Sequence, residues 1–265
     1  MEGKIGPAAD QHAKGAKGAN LFIPISLGNH YYSSVVLQNL MDDFISPSNR
    51  TIIFLCDRLR FLSYRIRGEV DIKGINSRIQ IQIDQMKRTL DNLGLGSHPN
   101  AFVADWSFLE EDHRYGELLA SLGEFVQADR EVGECLNDRV ATLIDRFYRR
   151  ESSELVDSME LQRQYIMAET ALSLFMTEIR GYNVELYRRG MGFVDYLYSR
   201  RSDELRSLTG SSALKRKFIA IEQQLATTHS PAKRDVAAAA ERPRIRGLCR
   251  QRSAPPRPMA ATGQS

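Results

Sequence analysis

Short, wholly apolar runs alternate along this chain with longer stretches in which apolar residues return every three or four positions. The first run, Leu21-Phe22-Ile23-Pro24-Ile25-Ser26, predicts a buried strand over 21–26. Gly28 and Asn29 predict a turn. Over 33–44, Val35, Val36, Leu37, Leu40, Met41 and Phe44 leave Gln38, Asn39, Asp42 and Asp43 on the opposite side of a helix. Residues 51–56 form a second apolar strand that ends at Asp57. Ile75, Ile79, Ile83, Met86 and Leu90 keep helical spacing, so 59–93 is predicted to be mostly helical, closed by Gly94 and Gly96. A third strand is predicted at 101–106. Amphipathic helices follow at 113–126, 129–149 and 152–178, a fourth strand at 182–187, and last helices at 193–207 and 213–225. Strand, helix and strand joined by short links imply an α/β fold with a parallel sheet.

Composition narrows the class. Hydrophobic residues make up 42% and charged residues 26%, as in an ordinary globular protein. Residues 1–19 read as a flexible leader, 20–226 as one catalytic-sized domain and 227–265 as a disordered basic tail rich in Ala, Pro and Arg. That tail carries eight basic and two acidic residues against a net charge of +3 for the whole chain, so the body is mildly acidic. Nucleic-acid contact by the body therefore needs a local basic patch. Three scattered cysteines suggest neither a disulfide framework nor a metal site, and a reduced, cytoplasmic setting is expected. No run approaches the ~20 apolar residues of a membrane span.

The chemistry is expected where strands end, because open α/β sheets bind ligands at their carboxyl edge. Ser26 sits there, either as a nucleophile offered to a pocket or as a turn serine capping the next helix. A hydrolase elbow is disfavoured, since Pro24 stands where G-x-S-x-G requires glycine. A phosphate-binding loop and a dinucleotide fingerprint are absent. Tyr165 and Glu169 lie one turn apart on a helix, and Met167, Ala168, Ala171, Leu172 and Phe175 give Glu169 an apolar setting. A carboxylate so placed needs a partner, either a cationic ligand group or a neighbouring Tyr or Arg. Tyr187, on the fourth strand, would complete such a pocket.

Taken together these residues resemble the cyclodipeptide synthases. The first-strand pattern stands as Pro24-Ile25-Ser26-Leu27-Gly28-Asn29-His30-Tyr31, the helix motif as Tyr165-Ile166-Met167-Ala168-Glu169, and the strand tyrosine as Tyr187, over about 21–205. The resemblance implies a Rossmann-like parallel sheet flanked by helices, similar to the catalytic domain of class I aminoacyl-tRNA synthetases. It implies that two aminoacyl-tRNAs are joined into a cyclic dipeptide, with no cofactor and no metal. Ser26 would carry the aminoacyl and dipeptidyl groups. Tyr165 and Glu169 would hold the α-ammonium, Asn29 would hold substrate near Ser26, and Tyr187 would relay a proton. Phe22, Pro24, Phe54, Leu172 and Glu185 would line the pocket for the first side chain. An acid at 185 would suit arginine, hence arginyl-tRNA, as in the fungal arginine-containing synthases. The helix at 75–93, with Arg78, Lys87 and Arg88, would grip tRNA. The alternative is a non-catalytic RNA-binding protein on a synthetase-like fold, with a serine hydrolase a distant third.

Overall fold

The computed structural model describes residues 19–46, 48–147, 152–188 and 190–221. β1 (Leu21–Ile25), β2 (Thr51–Leu55), β3 (Ala101–Ala104), β4 (Val184–Tyr187) and β5 (Lys217–Ala220) pair in parallel in the order β3-β2-β1-β4-β5. The leader up to residue 18 and the tail from 227 lie outside the described residues.

β1 and β2 are buried on both faces, which is why they read as unbroken apolar runs. Phe22, Ile52 and Phe54 pack into one layer with α5 (His113–Ala128), α6 (Arg130–Phe147) and α7 (Ser152–Leu174). Leu21, Ile23, Ile25, Ile53 and Leu55 pack into the other, with α1 (Ser34–Phe44) and α3 (Ile72–Asn92). Each of these side chains contributes on the order of 2 kcal/mol by burial. α7 crosses the first layer and runs into a π-helical turn at Phe175–Ile179.

The helical stretch expected over 59–93 divides into α2 (Asp57–Ile66) and α3. The break falls at Gly68, in left-handed backbone at φ 83°, and at Asp71, whose carboxylate accepts the Gly74 N–H at 3.0 Å. The helix expected over 193–207 also divides, into α8 (Gly192–Arg200) and α9 (Ser202–Thr209), and a short α4 (Ser107–Glu110) follows β3.

The helix expected at 213–225 is a correction: the chain there forms β5. Tertiary contacts override local preference. The Glu178 carboxylate accepts the backbone N–H groups of Lys215 and Arg216, both at 2.9 Å. The Lys217 N–H then donates to the Asn183 carbonyl at 2.7 Å and starts the ladder beside β4.

Pro24 shapes the sheet's centre. The Leu21 N–H and the Ile25 carbonyl both bond toward the β2 side, so the proline's missing donor falls on the β4 side. There the ladder between β1 and β4 ends after Leu21↔Val184 and Phe22↔Glu185, whereas β1 and β2 stay paired over all five positions. The carboxyl ends of β1 and β4 are released from one another at the point where the strand order reverses.

Candidate active site

That reversal is where open α/β sheets leave a crevice. Ser26 follows β1, Tyr187 ends β4, and 161 residues of chain separate them, yet the Ser26 Oγ and Tyr187 hydroxyl lie 3.0 Å apart. The Tyr187 O–H donates to Glu169 Oε1 at 3.3 Å. Serine, phenol and carboxylate thus form one hydrogen-bonded chain on the wall of a cavity of about 570 Å³, which Asn29 and Tyr165 also line.

The turn after β1 aims the serine. Gly28 has φ 69°, left-handed backbone that favours glycine, and a Cβ there would lie 2.8 Å from Arg60 Nη2, so a larger residue would displace that guanidinium. The Asn29 N–H donates to the Ser26 carbonyl at 3.2 Å, and Asn29 Oδ1 accepts the Tyr31 N–H at 3.0 Å. The side-chain oxygen of Asn29 therefore holds the turn. Tyr32 donates to the Pro24 carbonyl at 3.0 Å and fixes the strand end from the other side.

Glu169 is set apart electrostatically. Burial, and next the Glu185 charge, push its carboxyl up to about 7, against the pull of the Tyr187 hydrogen bond and Arg139. Burial pushes the Tyr187 phenol well above its ordinary range, so it stays a neutral hydroxyl near neutral pH. A carboxyl that titrates near neutrality can both take a proton and return it.

Beside this chain is a hollow of about 10 Å³, room for about one water, lined by Phe22, Pro24, Leu172, Glu185, Ser173 and Met191 among others. Phe54 lines neither space; it packs edge-on to Phe22 at 6.4 Å and shapes the hollow from behind. Glu185 points inward and is fully buried. Its Oε2 accepts from Arg216 Nε at 2.6 Å and from the Ser173 hydroxyl at 2.8 Å, while Oε1 has no hydrogen-bond partner. Arg216 also reaches Asp195 at 2.9 Å.

The three cations expected to meet tRNA lie on α3, outside the cavity. Arg78 pairs with Glu69, Lys87 lies 3.6 Å from Asp105, and Arg88 is exposed. Asp57, at the end of β2, serves the fold, because its Oδ1 accepts the Trp106 N–H at 3.0 Å. Sequence reasoning missed Cys56, Arg60, Arg67, Arg139, Arg188 and Met191 in the cavity wall. It also missed Arg216, which was expected on a helix. The described residues contain no group of three or more His, Cys, Asp or Glu placed to hold a metal ion. None of the described helices is long and apolar enough to cross a membrane.

A comparison with family models matches residues 10–210 to the cyclodipeptide synthase family. The chain belongs to the cyclodipeptide synthases. Members of this family use aminoacyl-tRNAs as substrates, so this chain is an aminoacyltransferase that forms cyclic dipeptides from them. Solved structures share the fold. A Mycobacterium tuberculosis protein whose structure relates cyclodipeptide synthetases to type I tRNA synthetases is 20% identical, with a TM-score of 0.58 over 72% of this chain and 82% of its own. A Fluoribacter dumoffii synthase is 12% identical, with a TM-score of 0.61 over 82% and 95%. AlbC, a cyclodipeptide synthase from Streptomyces noursei, is 18% identical, with a TM-score of 0.56 over 79% and 99%. No curated protein sequence matches this synthase.

Proposed function

We propose that Ser26 carries the growing product as an ester and that Tyr187 and Glu169 move its proton. The observation that carries this reading is the hydrogen-bonded chain from Ser26 through Tyr187 to Glu169 at the mouth of the β1–β4 crevice. As the serine oxygen attacks the ester carbonyl of the first aminoacyl-tRNA, its proton passes to Tyr187 and the Tyr187 proton passes to Glu169. The ester C–O bond breaks, and the departing tRNA 3′-oxygen takes up the proton that Glu169 had received, which leaves Glu169 a carboxylate again. Tyr165, one helical turn from Glu169 in the same cavity wall, holds the α-ammonium with it. Glu169 then takes a proton from the α-ammonium, and the freed amine attacks the ester of a second aminoacyl-tRNA. That ester C–O bond breaks, its tRNA 3′-oxygen takes up the proton, and a dipeptidyl-Ser26 results. The new terminal amine then attacks the Ser26 ester, the ring closes, and the proton chain runs backward to restore the serine. The ester is already activated, so the chemistry needs positioning and proton transfer only.

For the first side chain, the small hollow beside Glu169 is the receiving space. Arginine is supported by Glu185, a fully buried carboxylate on its wall with Oε1 unpaired. Arg216 holds the other oxygen, so a substrate guanidinium shares Glu185 with it, and Met191 and Leu172 must turn aside to admit a long side chain. The test is mass spectrometry of medium from a bacterial host expressing the chain. An arginine-containing cyclic dipeptide, lost in Glu185→Leu, supports both parts. Cyclic dipeptides without arginine remove the side-chain assignment and leave the reaction, and none from wild type, with Ser26→Ala equal to it, removes the Ser26 mechanism.

A further inference from the structure

The cavity that holds Ser26 is rich in cations that the proposed proton transfer does not use. Arg60 and Arg67 reach it from α2 and its C-terminal cap, Arg139 from α6 and Arg188 from the residue after β4, whereas Glu169 is the one acidic residue in its lining. Among the described residues, Arg60, Arg67 and Arg139 form no ion pair with a carboxylate, in contrast to Arg78 and Lys87 on the outer helix, and Arg139 acts on Glu169 through its charge alone. Arg60 and Arg139 are held in place, and Arg67 is exposed at the cavity edge. The Arg60 guanidinium lies 4.3 Å from the Tyr64 ring centre, donates to the Tyr64 hydroxyl at 3.1 Å and to Gln82 Oε1 at 3.3 Å, and packs over Gly28 in the serine turn. The Arg139 guanidinium lies against Gly192, where a Cβ would come within 3.2 Å of its Cζ. Three guanidiniums that face the single carboxylate of Glu169 in one cavity leave positive charge for a further anion, and guanidinium forks match phosphate oxygens.

Given the tRNA-dependent reading above, on which this rests, we propose that Arg60, Arg67 and Arg139 grip the phosphodiesters of the single-stranded 3′ end of the aminoacyl-tRNA. The ester to be attacked sits on the terminal ribose, so once it lies over Ser26 the nearest substrate anions are the last backbone phosphates. The same cavity holds both. Arg78, on α3 and paired with Glu69, stacks 4.6 Å from the ring centre of the same Tyr64, so Tyr64 links the cavity side to α3, and that helix is left for the duplex part of the acceptor arm.

The test measures binding of uncharged tRNA, and of the same tRNA lacking its 3′-terminal CCA, by the full-length chain between about 50 and 200 mM KCl. Wild type is expected to bind the intact tRNA more tightly than the truncated one. Arg67→Gln/Arg139→Gln, which keeps Arg60, is expected to lose most of that preference, with the log–log salt slope for intact tRNA reduced by about 1.4, or about 0.7 for each single-strand phosphate left without its cation. Arg67→Lys keeps the charge and is expected to keep the slope; Arg67→Gln alone, at an exposed position, gives half the effect if the double variant folds poorly. Arg88→Gln is expected to weaken both tRNAs equally. A double variant that still prefers intact tRNA with an unchanged slope overturns the assignment, as does one that loses both tRNAs equally. Absence of any cyclic dipeptide from wild type would instead count against the underlying reaction, whatever the arginines do.

Discussion

Replacing Glu169 by glutamine should make this synthase more stable and inactive, and the stability gain should depend on pH. The carboxyl is raised from 4.5 to about 7 in the folded chain, chiefly by burial and then by the Glu185 charge. The unfolded chain releases this proton around 4.5 and the folded chain holds it until about 7. Between those values folding binds a proton, and the wild type loses stability as pH rises. At about 1.36 kcal/mol per unit, the shift corresponds to about 3 kcal/mol, an upper figure because the cavity is open to water. Glutamine keeps the size and can still accept from Tyr187, and it does not titrate. Urea unfolding of both proteins from about pH 4 to about pH 8 gives the difference directly, since titrations common to both cancel. The gap should be flat below the unfolded value, widen in favour of Glu169→Gln as pH rises toward about 7, and level off above it. A constant gap, or one that narrows, would refute the claim that this carboxylate is held in a costly state for its chemistry.

The rate of acyl transfer to Ser26 in a single turnover should fall about tenfold per unit of pH below about 7, as Glu169 becomes protonated; Glu169→Gln should lose that dependence along with most of the rate. Arg216→Met should leave the buried Glu185 charge unpaired and lower the urea-derived stability by about 3 kcal/mol, with much of it recovered in Glu185→Leu/Arg216→Met. Gly28→Ala should cost about 1–2 kcal/mol from its left-handed backbone alone and displace Arg60, seen as a lowered unfolding midpoint and weaker tRNA binding.

The parts of the fold visible in the sequence are those with a one-dimensional cause. β1 and β2 are covered on both sides and so are apolar at every position but Pro24 and Thr51, and the helices around them keep a 3.6-residue period. β5 was not visible, because its strand is made by Glu178 capturing the N–H groups of Lys215 and Arg216, and Lys-Phe-Ile-Ala alone carries no strand pattern. The same holds within the cavity. Ser26, Glu169 and Tyr187 were found through motif order, but their contact is a product of strand order, since β4 inserts beside β1 and brings together residues 161 apart. Nothing in the local sequence marks Arg60 or Arg139 as turned toward a cavity. Glu185 gave an acid without its partner, since Arg216 lies beside the strand that was read as helix.

The central claim, that Ser26 takes the acyl group with Tyr187 and Glu169 moving its proton, is tested most directly by intact-protein mass spectrometry. The full-length chain would be mixed with aminoacyl-tRNAs and quenched in acid. A mass increase of one aminoacyl residue, mapped to the peptide containing Ser26, absent in Ser26→Ala and strongly reduced in Tyr187→Phe, is the predicted result. Cyclic dipeptide produced by Ser26→Ala at the wild-type rate, or an acyl group found on another residue, would contradict it.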